Sequence, residues 1–279
     1  EQRIRARIGR GKIIMKLASW NINSVRLRLP HVERFLEETK PDILCLQETK
    51  CPNDKFPAKA FTKAGYAHHA IHGQKGYHGV AIISRLPFAA TQSRQYCELD
   101  DARHVSVTLE DGTMLHNFYV PAGGDEPDPA VNPKFAHKLS FLEEMTDIFR
   151  DTGDQPQILV GDLNIAPHEH DVWSHKQLLK VVSHTPPETE RMAALLAAAT
   201  FVDVMREIAE EDEKLYTWWS YRAKDWRASN RGRRLDHIWV TPPLRERALA
   251  KGREAVIIHD EARDWEKPSD HAPVTLVFG

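Results

Sequence analysis

The sequence predicts an α/β protein built on mixed sheets, two of them packed face to face with helices outside. Three observations lead there. Short apolar runs recur and end in polar residues, as buried strands do. Helical periodicity returns between them. One pair of runs, Thr108 to Met114, turns back over Asp111-Gly112 as a hairpin, so antiparallel pairing is present.

In chain order, a strand is expected at Met15 to Trp20, stopping at Asn21-Ile22-Asn23, then a helix over Leu29 to Thr39. The run Asp42 to Leu46 reads as a buried strand that hands over to Gln47-Glu48-Thr49. Further strands are expected at Gly79 to Ser84, His104 to Leu109 and Met114 to Val120. Pro121 to Pro133 reads as a surface loop before a helix over Lys134 to Arg150. Gln157 to Val160 is a strand ending at Gly161-Asp162-Leu163-Asn164, and a long helix is expected over Glu190 to Glu210. Leu235 to Val240, Ala255 to Ile258 and Pro273 to Phe278 complete the strands. No stretch reads as a linker, so 15–279 is expected to be one domain, with 1–14 a basic N-terminal extension outside it.

The hydrophobic fraction is 41%, and the longest apolar run, Met192 to Val202, falls well short of the ~20 residues that a bilayer span needs. A chain with no membrane partner is expected. Cys45, Cys51 and Cys97 are odd in number and lack metal-site spacing, which suits a reducing, cytoplasmic setting. The formal net charge of -2 gives no bulk signal for nucleic acid, so any such signal must be local.

The polar residues at the ends of the apolar runs are alike in kind. Asn21, Glu48, Asp162, Asn164, Asp236, Asp270 and His271 are carboxylates, carboxamides or imidazole, without a thiolate or a serine nucleophile elbow. Such oxygen donors favour a hard cation, magnesium or manganese, over zinc. Asp162 and Asn164 are two apart and share a face if the strand continues, and so do Asn117 and Tyr119. Asp270 and His271 can converge on one site only from a turn, and Pro268 and Pro273 bracket one. The histidines His68, His69, His72, His78, His168 and His170 are read as lying on Gly-rich or Pro-flanked loops without cysteine partners, not as a zinc site.

The stretches SWNINS, LCLQETK, NFYVP, VGDLNIAP, RGRRLDHIW and SDHAPV together resemble the exonuclease III family of abasic-site endonucleases, in order from Met15 to Gly279. The resemblance implies a four-layered α/β sandwich of two packed mixed β-sheets flanked by helices. It implies Mg2+, with Mn2+ as a substitute, held by Glu48 with Asn21 close by and Asp270 near enough to assist. By the same resemblance Asp162 orients or deprotonates the attacking water and Asn164 fixes the scissile phosphate. His271, oriented by Asp236, contacts a phosphate oxygen, and Tyr119 donates a hydrogen bond to the phosphate. Two departures stand out: Asn23 replaces an Asp that some relatives carry at a second metal position, and Ala122-Gly123-Gly124 forms a loop expected to be flexible.

Tyr216 to Asp236 alternates aromatics with positive charge, and between Arg222 and Arg234 it holds six Arg or Lys against one acid, Asp225. Aromatic faces beside guanidinium groups hold unstacked nucleotides and grip phosphates. By the resemblance, Trp218 and Leu235 line a pocket for an abasic sugar, while Tyr221, Arg222 and Asn230 lie near DNA. The implied activity is incision of double-stranded DNA 5' to abasic sites, with 3'-to-5' exonuclease and 3'-phosphatase activity, by a monomer. Phosphoesterases of the same fold that act on inositol or lipid phosphates are the alternative, and they have no use for this aromatic and basic block.

Overall fold

The computed structural model describes residues 15–279 and stacks two six-stranded sheets face to face. The expected extension over 1–14 lies outside the described residues. The strands are β1 (Met15–Asn21), β2 (Ile43–Gln47), β3 (His68–His72), β4 (Val80–Ser84), β5 (Phe88–Ser93), β6 (His104–Leu109) and β7 (Met114–Tyr119). They continue as β8 (Gln157–Asp162), β9 (Val202–Asp203), β10 (Trp218–Trp219), β11 (Gly232–Arg233), β12 (Asp236–Val240), β13 (Val256–Ile258) and β14 (Val274–Phe278). One sheet has the order β13-β14-β1-β2-β4-β3 and the other β5-β6-β7-β8-β12-β9, with β10 and β11 as a small ribbon. Both large sheets are mixed: β1 runs parallel to β2 and β7 parallel to β8, among antiparallel neighbours.

Alternation along the strands builds four layers. Leu17, Ile43, Cys45, Val80, Ile82 and Leu276 meet Val105, Val107, Leu115, Ile158, Val160 and Ile238 between the sheets. The residues between them point outward: Trp20, Leu44 and Ile83 pack on Val32, Phe35 and Leu36 of the helix Leu29–Thr39. On the opposite side Phe118, Leu159 and Trp239 pack on the helices Pro133–Phe149 and Pro186–Ala198. Strands covered on both faces read as continuous apolar runs, which is why the sequence displays them. No helix among the described residues is long and apolar enough to cross a membrane.

Gly161 fixes the approach of β8 to β7 directly before Asp162. Its φ is 137°, and a Cβ there would stand 1.9 Å from the Phe118 carbonyl oxygen.

Three expectations are corrected. The helix expected over Glu190 to Glu210 begins at Pro186, behind a Thr185–Glu188 capping box, and ends at Ala198. Thr200 then turns through φ 52°, Phe201 is buried, Val202 and Asp203 pair with Val240 and Trp239, and a separate helix follows at Val204–Ile208. Burial of Phe201 and pairing at the sheet edge override the helical preference of the alanine run. His68, His69 and His72 lie on the edge strand β3, not in loops, because β4 supplies a pairing partner that their polarity does not advertise. The hairpin between β6 and β7 does form, with Thr108 opposite Met114, but its tight turn is centred on Glu110-Asp111, with Gly112 after it at φ 85°.

Buried imidazoles make this fold sensitive to acid. His104 Nε2 lies 3.2 Å from His116 Nδ1 inside the protein, and burial drives His104 well down and His116 to about 4. His237 is driven to about 3 by burial and by Arg234. All three are neutral when folded, whereas the unfolded chain takes up their protons near pH ~6.5. The stability they contribute is therefore present above that pH and lost as pH falls toward their folded values. Urea unfolding followed by circular dichroism at pH 5 and pH 7.5 should show a loss on the order of 2 kcal/mol for each of His104, His116 and His237, seen as a smaller pH dependence when His116 is replaced by Asn; the same pH dependence in wild type and His116→Asn would contradict this.

Candidate active site

Strand register gathers the polar strand ends at one mouth between the sheets. β7 places Tyr119 beside Asp162 of β8, and β12 returns with Asp236 on the other side of Asp162. In the facing sheet Asn21 ends β1 beside Gln47, so Glu48 follows at the same rim. His271 sits on the turn before β14 and bridges to Trp218.

His271 is held between two carboxylates. Its Nδ1 donates to Asp236 Oδ2 at 2.8 Å, and its Nε2 faces Asp162 Oδ2 at 3.6 Å. Burial opposes the charge on His271, but Asp236 and Asp162 outweigh it and lift the imidazolium to about 10. Asp162 is pushed up to about 7, first by burial and then by Asp236 and Glu48, against the pull of His271. The donor atoms of Asp162, Asp236 and His271 all lie within 4.8 Å of one another, close enough to enclose a cation, and the His271–Asp236 bond accounts for that approach without one.

Asn21 ties this trio to Glu48: its Nδ2 donates to Asp162 Oδ2 at 2.9 Å and to Glu48 Oε1 at 3.2 Å. Tyr119 donates its hydroxyl to the same Glu48 oxygen at 2.6 Å, and burial with its anionic neighbours keeps the phenol protonated. Asn164 does reach Asp162, but not along a continuing strand. β8 stops at Asp162, Asn164 turns to φ 55°, and its backbone N–H and Nδ2 donate to the two Asp162 oxygens at 2.9 and 3.1 Å.

Glu48 and its neighbours Asn23, Lys50 and His78 all adopt left-handed backbone, with φ between 48° and 52°. Strain of this kind collects at functional sites when the surroundings enforce it; here Ser24 N–H donates to Glu48 O at 2.7 Å and Lys50 N–H to His78 O at 2.9 Å. The outer oxygen of Glu48 lies 2.8 Å from the Lys50 ammonium. Burial works against charge on Glu48, yet Lys50 and Tyr119 hold its carboxyl below the usual range. The oxygens of Asp270 accept from Asn23 Nδ2 at 3.1 Å and Trp218 Nε1 at 2.9 Å. This rim of carboxylate and amide groups, with a cation already beside Glu48, has the donor chemistry of a hard divalent ion.

Trp218 and Leu235 pack together with Val172, Leu178 and Trp173 in one apolar cluster. Tyr221 is exposed, with its hydroxyl donating to Pro268 O at 2.7 Å and accepting from Arg28 at 3.1 Å. Asn230 ends a short helix at φ 42° and accepts from Trp219 Nε1 at 3.1 Å, and Arg222 is exposed. The basic block is less free than its composition implies. Arg234 is buried between Asp171 and Asp203, Arg227 pairs with Asp264, and Arg233 donates to Val182 O and Ser183 Oγ. Arg222, Lys224 and Arg231 stay exposed, Arg231 over the Trp173 ring.

Several positioning groups were absent from the expected set. Thr217 Oγ1 donates to Asp236 Oδ2 at 2.6 Å and accepts from the backbone N–H groups of Leu235 and Asp236. Lys138, fully buried, donates to Glu188 at 2.5 Å, Asn164 O at 2.8 Å and Ala122 O at 3.2 Å, so the loop expected to be flexible is tied down, with Asn132 holding Gly123 O as well. Arg103 braces Tyr119: it donates to Tyr119 O, and its guanidinium lies 5.2 Å from the ring centre. The Lys that closes QETK was a visible signal for Lys50; nothing local marks Lys138 or Thr217.

The profile of the Endonuclease/Exonuclease/phosphatase family matches residues 18–271. Exodeoxyribonuclease III of Haemophilus influenzae is 30% identical over 276 residues, 95% of this chain and 100% of that one. Among solved structures, an AP endonuclease from Archaeoglobus fulgidus is 35% identical with a TM-score of 0.86, over 95% of this chain and 99% of that one. The 3' phosphatase NExo from Neisseria, solved with a product DNA hairpin, is 31% identical with a TM-score of 0.85 and the same coverage.

Thr217→Val keeps the shape and removes the hydroxyl that serves Asp236 and two buried N–H groups. A loss of about 1–3 kcal/mol in urea unfolding is expected, because buried donors are left unpaired; unchanged stability would show that Thr217 does not hold Asp236.

Proposed function

Because the chain belongs to the endonuclease/exonuclease/phosphatase family, we propose that it is a DNA repair nuclease that hydrolyses the phosphodiester 5' to abasic sites in double-stranded DNA. Incision leaves a 3' hydroxyl and a 5' deoxyribose phosphate, and 3'-to-5' exonuclease and 3'-phosphatase activities accompany it, in keeping with the names of its relatives. The observation that carries this reading is the Asn21 amide, which lies 2.9 Å from Asp162 and 3.2 Å from Glu48 while His271 stands 3.6 Å from Asp162. Groups from both sheets thereby share a space the size of one phosphate.

Mg2+, with Mn2+ as a substitute, would be held by Glu48 with Asn21 and Asp270 at hand. Bound there, it supplies positive charge against the negative charge that develops on the phosphoryl oxygens. Asp162, lifted to about 7 and fixed by Asn21 and Asn164, orients the attacking water and accepts its proton. The water oxygen bonds to phosphorus as the bond from phosphorus to the 3' oxygen breaks, and the 3' oxygen takes a proton from solvent to become the hydroxyl. The His271 imidazolium, its orientation set by Asp236, donates from Nε2 to a phosphate oxygen. Tyr119 and Asn164 add neutral donors beside it. Trp218 and Leu235 receive the sugar that lacks a base, and Tyr221, Arg222 and Asn230 face the duplex. The protein works as a cytoplasmic monomer.

The test is a duplex carrying one abasic analogue, incubated with Mg2+ or with chelator. Incision on the 5' side that chelator abolishes is expected, and Asp162→Asn should cut at least about 1000-fold more slowly, with abasic DNA still bound. Incision that survives chelator, or an Asp162→Asn protein of normal rate, would overturn the reading. Trp218→Ala should lower the preference for abasic over intact duplex by about tenfold, the effect of losing one aromatic contact; an unaltered preference in gel-shift titrations would remove Trp218 from the pocket.

A further inference from the structure

One chain of contacts runs from the carboxylate that would hold the cation to the aromatic that would hold the sugar. Glu48 Oε2 lies 2.8 Å from Lys50 Nζ, and Lys50 Nζ donates to Asn23 Oδ1 at 2.7 Å. Asn23 Nδ2 donates to Asp270 Oδ1 at 3.1 Å, and Asp270 Oδ2 accepts from Trp218 Nε1 at 2.9 Å. Each member has its partners in this relay, and Asn23 is its hinge, accepting with one end of its amide and donating with the other. A carboxylate at this position could accept from Lys50 but could not donate to Asp270.

We propose that Asn23 is a positioning residue that couples cation binding at Glu48 to the setting of Trp218 in the sugar pocket. This rests on the reading of the site given above. The physical basis is competition for Glu48. The Lys50 ammonium occupies the outer oxygen of the carboxylate, so a divalent ion at Glu48 must displace that ammonium or repel it. Lys50 then loosens its hold on Asn23 Oδ1, the amide is free to reorient, and the pull of Asn23 on Asp270 changes. Asp270 is the acceptor that fixes the Trp218 indole, so the change reaches the pocket wall.

The backbone supports a relay that switches as a unit. Asn23 stands at φ 48°, its N–H donates to Asn21 Oδ1 at 3.0 Å, and Arg28 donates to its carbonyl oxygen. The main chain is thus fixed while the side chain joins two charged partners, Lys50 and Asp270. Linkage requires the effect to be reciprocal: occupation of the pocket must alter cation affinity by the same factor that the cation alters pocket affinity. Coupling of this kind is typically about 5-fold to 150-fold.

The experiment uses the full chain and two readouts other than catalysis. Mg2+ is titrated while tryptophan emission is recorded, with Trp218→Phe identifying the share that belongs to Trp218. Mg2+ affinity is then measured by calorimetry with and without a duplex that carries an abasic analogue and a non-hydrolysable linkage. In the wild type, Mg2+ should shift the Trp218 emission, and the abasic duplex should tighten or weaken Mg2+ binding at least about fivefold relative to intact duplex. Asn23→Gly suits the left-handed backbone and removes only the side chain. It should still bind Mg2+, without the emission shift and with the duplex effect reduced to less than twofold. Asn23→Asp keeps the contact to Lys50 and loses the bond to Asp270, and it should lose the shift as well. A wild type that binds Mg2+ and incises abasic DNA without any Trp218 response, or an Asn23→Gly protein that keeps the full response, would overturn the coupling while leaving the nuclease reading intact. A wild type that neither binds Mg2+ nor incises would instead overturn the nuclease reading, and the coupling with it.

Discussion

The site depends on the register of three strands. Tyr119, Asp162 and Asp236 stand side by side because β7, β8 and β12 pair in one frame, and a slip of one residue would turn every side chain to the opposite face. Gly161 is the tightest point of that frame, since only a residue without a side chain lets β8 pass the Phe118 carbonyl. The inter-sheet core then sets the distance to Asn21, Glu48 and His271 in the other sheet. Between the sheets Asn117 donates to Leu46 O and Ala81 O and accepts from Gln47, a polar tie across the core directly beneath the mouth.

Burial gives these groups their chemistry. In water Asp162 would be fully ionised and His271 mostly neutral near pH 7. Within the mouth both affinities for protons rise, so that the imidazole keeps its proton while Asp162 sits near the pH at which it can exchange one. Thr217, Asn21 and Asn164 supply the donors that make buried carboxylates tolerable there. The buried pair Arg234–Asp171 anchors the segment that leads into Asp236, and Lys138–Glu188 anchors the turn at Asn164. Removing one partner of such a pair costs far more than the pair contributes, so both are constraints on geometry first.

Much of this was legible in the sequence, for a physical reason. Strands buried on both faces declare themselves as apolar runs, and β1, β7 and β8 stop at Asn21, Tyr119 and Asp162, which face the mouth. What stayed hidden depends on partners remote in the chain. β3 and β5 are edge strands whose polar or exposed residues carry no signal without β4 and β6. The end of the long helix at Ala198 is decided by Trp239 and Val240 of β12. The basic block looks like a free cationic surface until Asp171, Asp203 and Asp264 are brought beside it. Asn164 reaches Asp162 through a left-handed turn that the pattern of alternation does not encode.

The most direct test is a crystal structure of the Asp162→Asn protein with an uncleaved duplex that contains an abasic analogue. The scissile phosphate should lie with its oxygens in hydrogen-bond reach of His271 Nε2, Tyr119 Oη and Asn164 Nδ2, beside a divalent ion on Glu48. A phosphate bound away from His271, with Glu48 still paired to Lys50 and no ion beside it, would contradict the account.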